Sequence, residues 1–362
     1  SQDNVASDWT DDTKFELSLA DYAGKSVYIA FVNQNDDQSV IFLDNIRVYY
    51  RGDFVLSSNT PENVVNQDNV TVSGQLNITG DETYNNLTAT LTAGDFTSTF
   101  TANGLGLTKD SPAYTFEFPE EMPLTVGEEN NYTITVEVDG NRLSRSGVVK
   151  DLAFETTKRV VVEEGTGQWC GNCPQGILAL ENLESLFGDK VISIGVHGGG
   201  TDNWRYDEYC SALGFTGYPT GRVNRINALL APALQIRDEA TGRPMYSFNS
   251  TEGGQTFLDV VQSEFENNPY ADADITLTKA DYNPETRQIA IEGNLNYAVN
   301  LSSLNQNIAF VVLENGLSGN QSNYFYANSD PLFGEFGQGG LYGSNNPTIT
   351  FDHVAIRVVD NL

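Results

Sequence analysis

Val160-Val161-Val162, then Glu163-Glu164, then Trp169-Cys170-Gly171-Asn172-Cys173-Pro174 is the stretch on which the fold turns. The three valines make a continuous apolar run, as in a buried strand. Beyond the cysteines, Leu180, Leu183 and Phe187 recur three and four apart, the spacing of one helix face. The dithiol therefore falls between a buried strand and a helix start. Unpaired N–H groups and the dipole at a helix N-terminus favour a thiolate at Cys170. A spacing of two residues lets Cys173 resolve a mixed disulfide on Cys170. Pro174 costs little there, because a first-turn N–H has no helical partner. The alternative is a fixed disulfide at a helix head, whose small loop contributes about 2 kcal/mol or less.

Two further residues belong to this reading. Glu164 lies six residues before Cys170, at the end of the strand. It is either a carboxylate under the dithiol that accepts the Cys173 proton or a solvated strand-end acid. Pro219, in Gly217-Tyr218-Pro219-Thr220, lies 46 residues beyond Cys173 and opens another strand, up to Ile226. The plainer reading of Pro219 is an ordinary turn before a strand. Between them, Val191-Ile192-Ser193-Ile194-Gly195-Val196 reads as a second buried strand and Trp204 to Leu213 as a short helix. Phe257 to Phe265 is amphipathic and closes the series. Strand and helix alternate, so residues 151–268 read as an α/β domain.

The flanks follow a different grammar. In residues 1–52, Phe15-Glu16-Leu17-Ser18-Leu19 and Val27-Tyr28-Ile29-Ala30-Phe31 alternate, with further strands at 41–43 and 46–50. Residues 53–150 carry strands at 70–76, 87–91, 97–100, 114–118 and 132–138, with a hairpin turn at Asp139-Gly140-Asn141. Their short spacing suggests an immunoglobulin-like sandwich. Residues 269–362 return to β, with strands at 273–277, 289–293, 308–313 and 354–359. The stretch Gly316 to Asn346 reads as an ordered loop, since it keeps Tyr324, Phe325, Tyr326, Phe333 and Phe336. Both ends break mid-pattern, so the chain reads as an internal part of a longer protein.

Composition narrows the function. The 362 residues hold 19 Lys plus Arg against 49 Asp plus Glu, a net charge of -30. The excess is -15 over 1–150, -8 over 151–268 and -7 over 269–362, so it is a solvated surface and not a tail. Nucleic-acid binding needs concentrated Lys and Arg and is disfavoured. No apolar run is long enough to span a bilayer. Three cysteines rule out a disulfide framework. No cofactor is expected. Acidic loops such as Asp36-Asp37 lack the ligand spacing of a Ca²⁺ loop. A Cys₃His zinc set of Cys170, Cys173, Cys210 and His197 lacks a second close cysteine pair. Gly198-Gly199-Gly200 has no following Lys-Ser/Thr and makes no phosphate loop. Arg51-Gly52-Asp53 is short enough to recur by chance as an adhesive signal.

Residues 157–268 resemble a thioredoxin-like domain. More narrowly, the run from Val162 through Trp169-Cys170-Gly171-Asn172-Cys173-Pro174 resembles the outer membrane protein 28 family. So do His197 and Gly217-Tyr218-Pro219-Thr220 to Asn224-Arg225. These are envelope lipoproteins of the Bacteroidetes, in which β domains flank a thioredoxin-like unit. Phe351-Asp352-His353-Val354-Ala355-Ile356-Arg357 is similar to the family's C-terminal β domain, and the first 50 residues are similar to the end of a jelly-roll module of the cleaved-adhesin and anchor kind. The resemblance implies a multidomain fold, β-sandwich modules around an α/β thioredoxin-like domain. It implies a cis Pro219 beside the dithiol and a Tyr218 backbone facing a bound polypeptide, with Trp169 and Thr220 on the same platform. It also implies an outer-membrane or cell-surface setting, with polypeptide thiols, disulfides or outer-membrane proteins as partners. Gly171-Asn172 departs from the Gly-Pro pair of reducing thioredoxins, which leaves the direction of exchange open. Two functions stay open: thiol–disulfide exchange, and a redox-silent binding subunit of an uptake or assembly complex.

Overall fold

The computed structural model describes residues 53–226, 228–237, 244–250, 255–304 and 306–359. The chain divides into two units, Ser1–Arg51 and Gly52–Leu362. The strands expected in the first 50 residues, the Asp36-Asp37 loop and the Arg51-Gly52 pair lie outside the described residues. What is described is β-rich, with several separate sheets.

The strands of the first part are β1 (Phe54–Ser58), β2 (Asn63–Val65), β3 (Asn69–Val70), β4 (Ser73–Ile78) and β5 (Leu87–Ala93). They continue with β6 (Phe96–Ala102), β7 (Tyr114–Glu117), β8 (Met122–Pro123), β9 (Glu128–Val138) and β10 (Asn141–Leu152). One sheet runs β1-β4-β7 and the other β2-β10-β9-β5-β6, with β3-β8 as a separate pair. Period-two alternation puts Tyr132, Ile134, Val136 and Val138 of β9 inward. They share one core with Phe54, Leu56, Leu76, Ile78 and Phe116 of the other sheet. Each such buried side chain is worth about 1.5–3 kcal/mol. The β9–β10 turn at Asp139-Gly140 has φ of 44° and 88°, the two positive values a two-residue hairpin needs. The single strand expected over 70–76 is two, because β3 pairs with β8 whereas β4 lies between β1 and β7.

The second part begins with β11 (Val160–Thr166), α1 (Pro174–Phe187), β12 (Val191–His197), α2 (Asp207–Ala212) and β13 (Thr220–Val223). Next come β14 (Leu234–Arg237), β15 (Pro244–Ser247) and α3 (Phe257–Asn267). The last strands are β16 (Ala273–Asn283), β17 (Gln288–Tyr297), β18 (Phe310–Glu314), β19 (Leu317–Asn320), β20 (Thr348–Phe351) and β21 (Val354–Val359). The main sheet is ordered β13-β11-β12-β21-β18. β11, β12 and β21 are parallel, and β13 and β18 run antiparallel at the two edges. Alternation divides its side chains. Val160, Val162 and Val191 pack with Leu180 and Leu183 of α1 and with Phe257, Val260 and Val261 of α3. Ile194 and Val196 pack on the other face with Tyr209 and Cys210 of α2, together with Leu213, Phe215 and Ala355.

The stretch expected as a C-terminal β domain over 269–362 is distributed. β16 and β17 form a hairpin, and β19 pairs with β20. β18 and β21 enter the main sheet, with β21 against β12. Val354 and Ala355 supply apolar residues to the two faces of that sheet, as a strand in a covered parallel sheet must.

Candidate active site

The dithiol sits where β11 gives way to α1. Cys173 is the N-cap residue of α1 and Pro174 its first helical residue. Main-chain bonds tighten the approach: Cys170 N donates to Gly167 O at 2.9 Å and Cys173 N to Cys170 O at 3.1 Å. Gly176 N then donates to Cys173 O at 2.9 Å, so the loop runs into the first helical turn. Cys170 and Cys173 are joined in a disulfide, Cα to Cα 5.4 Å. Both are buried, at 4% and 0% exposure.

Glu164 lies beneath that turn and is 1% exposed, so it is not a solvated strand-end acid. Its Oε1 has no hydrogen-bond partner. A Cβ on Gly176 would fall 1.8 Å from this oxygen, so the helix accepts the carboxyl only because residue 176 is glycine. Gly195 is its cross-strand partner on β12. Burial holds the Glu164 carboxyl well above the usual carboxylate range, and nearby Thr166 offsets this only in part. The adjacent Glu163 points to the opposite face. There its carboxylate takes Arg225 Nη2 at 2.8 Å and the Tyr209 hydroxyl at 2.5 Å.

Pairing of β13 with β11, Thr220 opposite Gly165, brings Pro219 beside the head of the dithiol loop. The Tyr218–Pro219 bond is cis, as the resemblance implies. Trp169 donates its indole N–H to Gly198 O at 2.9 Å and meets the Tyr218 ring edge-on at 5.8 Å. It remains 40% exposed, a broad aromatic face next to buried sulfurs. The main chain of Tyr218 makes no backbone hydrogen bond among the described residues. Its hydroxyl turns inward toward Cys210, and burial raises both the phenol and the thiol. Thr220 directs its hydroxyl to Leu230 O at 3.4 Å.

Several residues that sequence reasoning did not single out hold this site. Asp202 accepts Gln168 N at 2.7 Å and pairs with His197 Nδ1 at 2.9 Å through the same Oδ2, and its Oδ1 accepts Trp204 N at 2.8 Å. Burial alone would raise its carboxyl, but His197 and the two N–H groups outweigh that and leave it lowered. His197 is thus a core histidine, packed against Trp204 and Phe351. The C-terminal stretch also reaches the dithiol loop. Gln321, fully buried, donates Nε2 to Cys170 O at 2.8 Å. Ser322 N donates to Gln168 O at 2.7 Å and Tyr324 N to Gly171 O at 2.8 Å. Apart from the aromatic content of that stretch, nothing local in the sequence signals these contacts, which span about 150 residues.

The zinc set does not assemble, because Cys170 and Cys173 are bonded to each other and Cys210 is a buried free thiol. No group of three or more His, Cys, Asp or Glu side chains that could hold a metal ion occurs among the described residues. No helix among them is long and apolar enough to cross a membrane. No protein-family model and no curated protein matches the chain.

Proposed function

We propose that the chain is an extracytoplasmic envelope protein whose Cys170–Cys173 pair, mounted on a thioredoxin-like unit, exchanges disulfides with polypeptides. The observation that carries this reading is the Glu164 carboxyl, buried under the first turn of the helix that the dithiol heads with its Oε1 unpartnered. A stable fold gains nothing from an orphaned buried acid, which costs about 1–3 kcal/mol or more. A proton acceptor with a raised pKa, under the helix turn that begins at the resolving thiol, has a use for that position. The sheet order and the α1–α3 packing on one face support the thioredoxin-like assignment, and the flanking sandwich supports the envelope family that the sequence resembles.

In the reducing direction, the Cys170 thiolate attacks one sulfur of a substrate disulfide. A Cys170–substrate disulfide forms and the other substrate sulfur leaves as thiolate. Cys173 passes its proton to the Glu164 carboxylate and attacks Cys170 Sγ. The Cys170–Cys173 bond forms, the second substrate sulfur leaves and takes up a proton, and two electrons have moved to the substrate. The reverse sequence oxidises a substrate dithiol. Trp169, Tyr218 and Thr220 form the platform, and the main chain of Tyr218, which has no backbone hydrogen bond among the described residues, would pair with an extended polypeptide.

One observation favours a second reading, a redox-silent binding subunit: both sulfurs are almost closed to solvent. An insulin-reduction assay with dithiothreitol, on wild type and Cys170→Ser, separates the two. Turnover that disappears in the variant is expected. No turnover in either protein, with a disulfide that resists mild reductant, would establish the silent reading.

A further inference from the structure

We propose that the stretch from Leu317 to Phe351 is a gate over the dithiol, held shut by the Tyr324 ring and by hydrogen bonds to the loop carbonyls, and that its opening sets how fast Cys170 is reached. The inference deepens the reading above and rests on the dithiol being the reactive group. Four contacts define the closed state. Three are the bonds from Gln321, Ser322 and Tyr324 to the carbonyls of Cys170, Gln168 and Gly171. The fourth is the Tyr324 ring, which lies so close over Gly171 that a Cβ there would fall 2.4 Å from its carbons. Gly171, the first of the two residues between the cysteines, is thus roofed by an aromatic side chain from a distant part of the chain.

The rest of the site makes a gate the economical explanation. Trp169 is 40% exposed and the Tyr218 main chain makes no backbone hydrogen bond among the described residues, so the platform is open while the cysteines are buried. The roof is anchored at both ends, by the β19–β20 pair and by Asn323, whose Nδ2 donates to Phe336 O at 2.8 Å. Tyr324 itself is different: it is 71% exposed between the buried Asn323 and Phe325, and its ring meets the loop at Gly171. An exposed side chain with few buried contacts, set between buried neighbours, is the part of such a roof that can open locally without the fold unfolding.

The test is the rate of disulfide reduction by dithiothreitol, quenched with iodoacetamide and counted by mass. Two protein thiols form as the reagent closes to its cyclic disulfide, so no polypeptide substrate is needed. Tyr324→Ala is expected to be reduced about tenfold faster than wild type, the factor that corresponds to about 1.4 kcal/mol of closing energy. Tyr324→Phe keeps the ring and is expected to match wild type. Cys210, buried 3% exposed in the same unit, reports on global opening and is expected to stay unalkylated. Amide exchange at Ser322 and Tyr324 is expected to quicken in Tyr324→Ala alone. An unchanged reduction rate in Tyr324→Ala overturns the gate, as does a faster rate in which Cys210 is labelled in step. Failure of insulin turnover bears on the proposed function and leaves the gate measurement intact.

Discussion

Glu163 and Glu164 are neighbours on β11 with opposite surroundings. Alternation sends Glu163 toward Arg225 and Tyr209, whereas Glu164 meets an apolar helix underside with one oxygen unpartnered. The pKa of Glu164 in the folded chain lies above its unfolded value near 4.5, because burial disfavours the charge. The folded chain therefore holds this proton more tightly than the unfolded chain. Stability is full below the unfolded value and declines as pH rises through the folded one, by about 1.4 kcal/mol for each unit of difference. Glu164→Gln removes the titration. It is expected to raise stability to urea at pH 8 and to leave it unchanged at pH 4, where both proteins are neutral at this position. Fluorescence of Trp169 and Trp204 follows the unit directly. A variant that is no more stable than wild type at pH 8 would show that Glu164 reaches a partner or water in solution. The same variant should slow exchange, since no carboxylate remains to take the Cys173 proton.

At the scale of the element, α1 shows how far local sequence reaches. Its start at Pro174 and its apolar face follow from spacing and capping rules and were legible. The role of Gly176 was not, because a glycine two residues into a helix reads only as a weak helix former. Its reason lies on β11, where the Glu164 carboxyl fills the place of its Cβ. Gly176→Ala should gain about 1 kcal/mol of helix propensity yet destabilise the protein overall, as overpacking costs about 1–3 kcal/mol. In a Glu164→Ala background the same substitution should turn stabilising. A double-mutant cycle by urea unfolding measures this reversal, and additive effects would mean that helix and carboxyl do not meet. Tyr324 and Gln321 were illegible for a related reason. Turn and strand rules see neighbours in sequence, and these residues act on a loop about 150 positions away.

At the scale of the molecule, the sheet places a demand on the chain that no local pattern announces. The run Val354-Ala355-Ile356-Arg357-Val358-Val359 reads as a strand from its own residues, but not as a strand of the sheet begun at Val160. β21 covers the edge of β12, and Gly195 N donates to His353 O at 2.9 Å. Val354, Phe351 and Ile349 pack together with Ile177 and Leu178 of α1, and Ala355 packs with Ile194 and Val196. Without residues 269–362, β12 becomes an exposed apolar edge, which invites pairing with other chains. The outward residues of α1 lose their cover as well. A fragment of residues 151–268 is therefore expected to aggregate or stay loosely packed, despite holding the dithiol, Glu164 and Pro219. A fragment of residues 151–362 keeps the sheet whole. It loses only the contacts to the sandwich, such as the Lys150–Asp272 ion pair at 2.9 Å and the Asn300 N bond to Gly127 O at 2.7 Å. It should elute as a monomer and unfold cooperatively by near-ultraviolet circular dichroism. A monomeric 151–268 fragment with the same cooperative transition would mean that β18 and β21 are additions to a self-sufficient unit. Aggregation of the short fragment, cured by residues 269–362, would mean that the roof over the dithiol cannot be removed without losing the sheet that positions it.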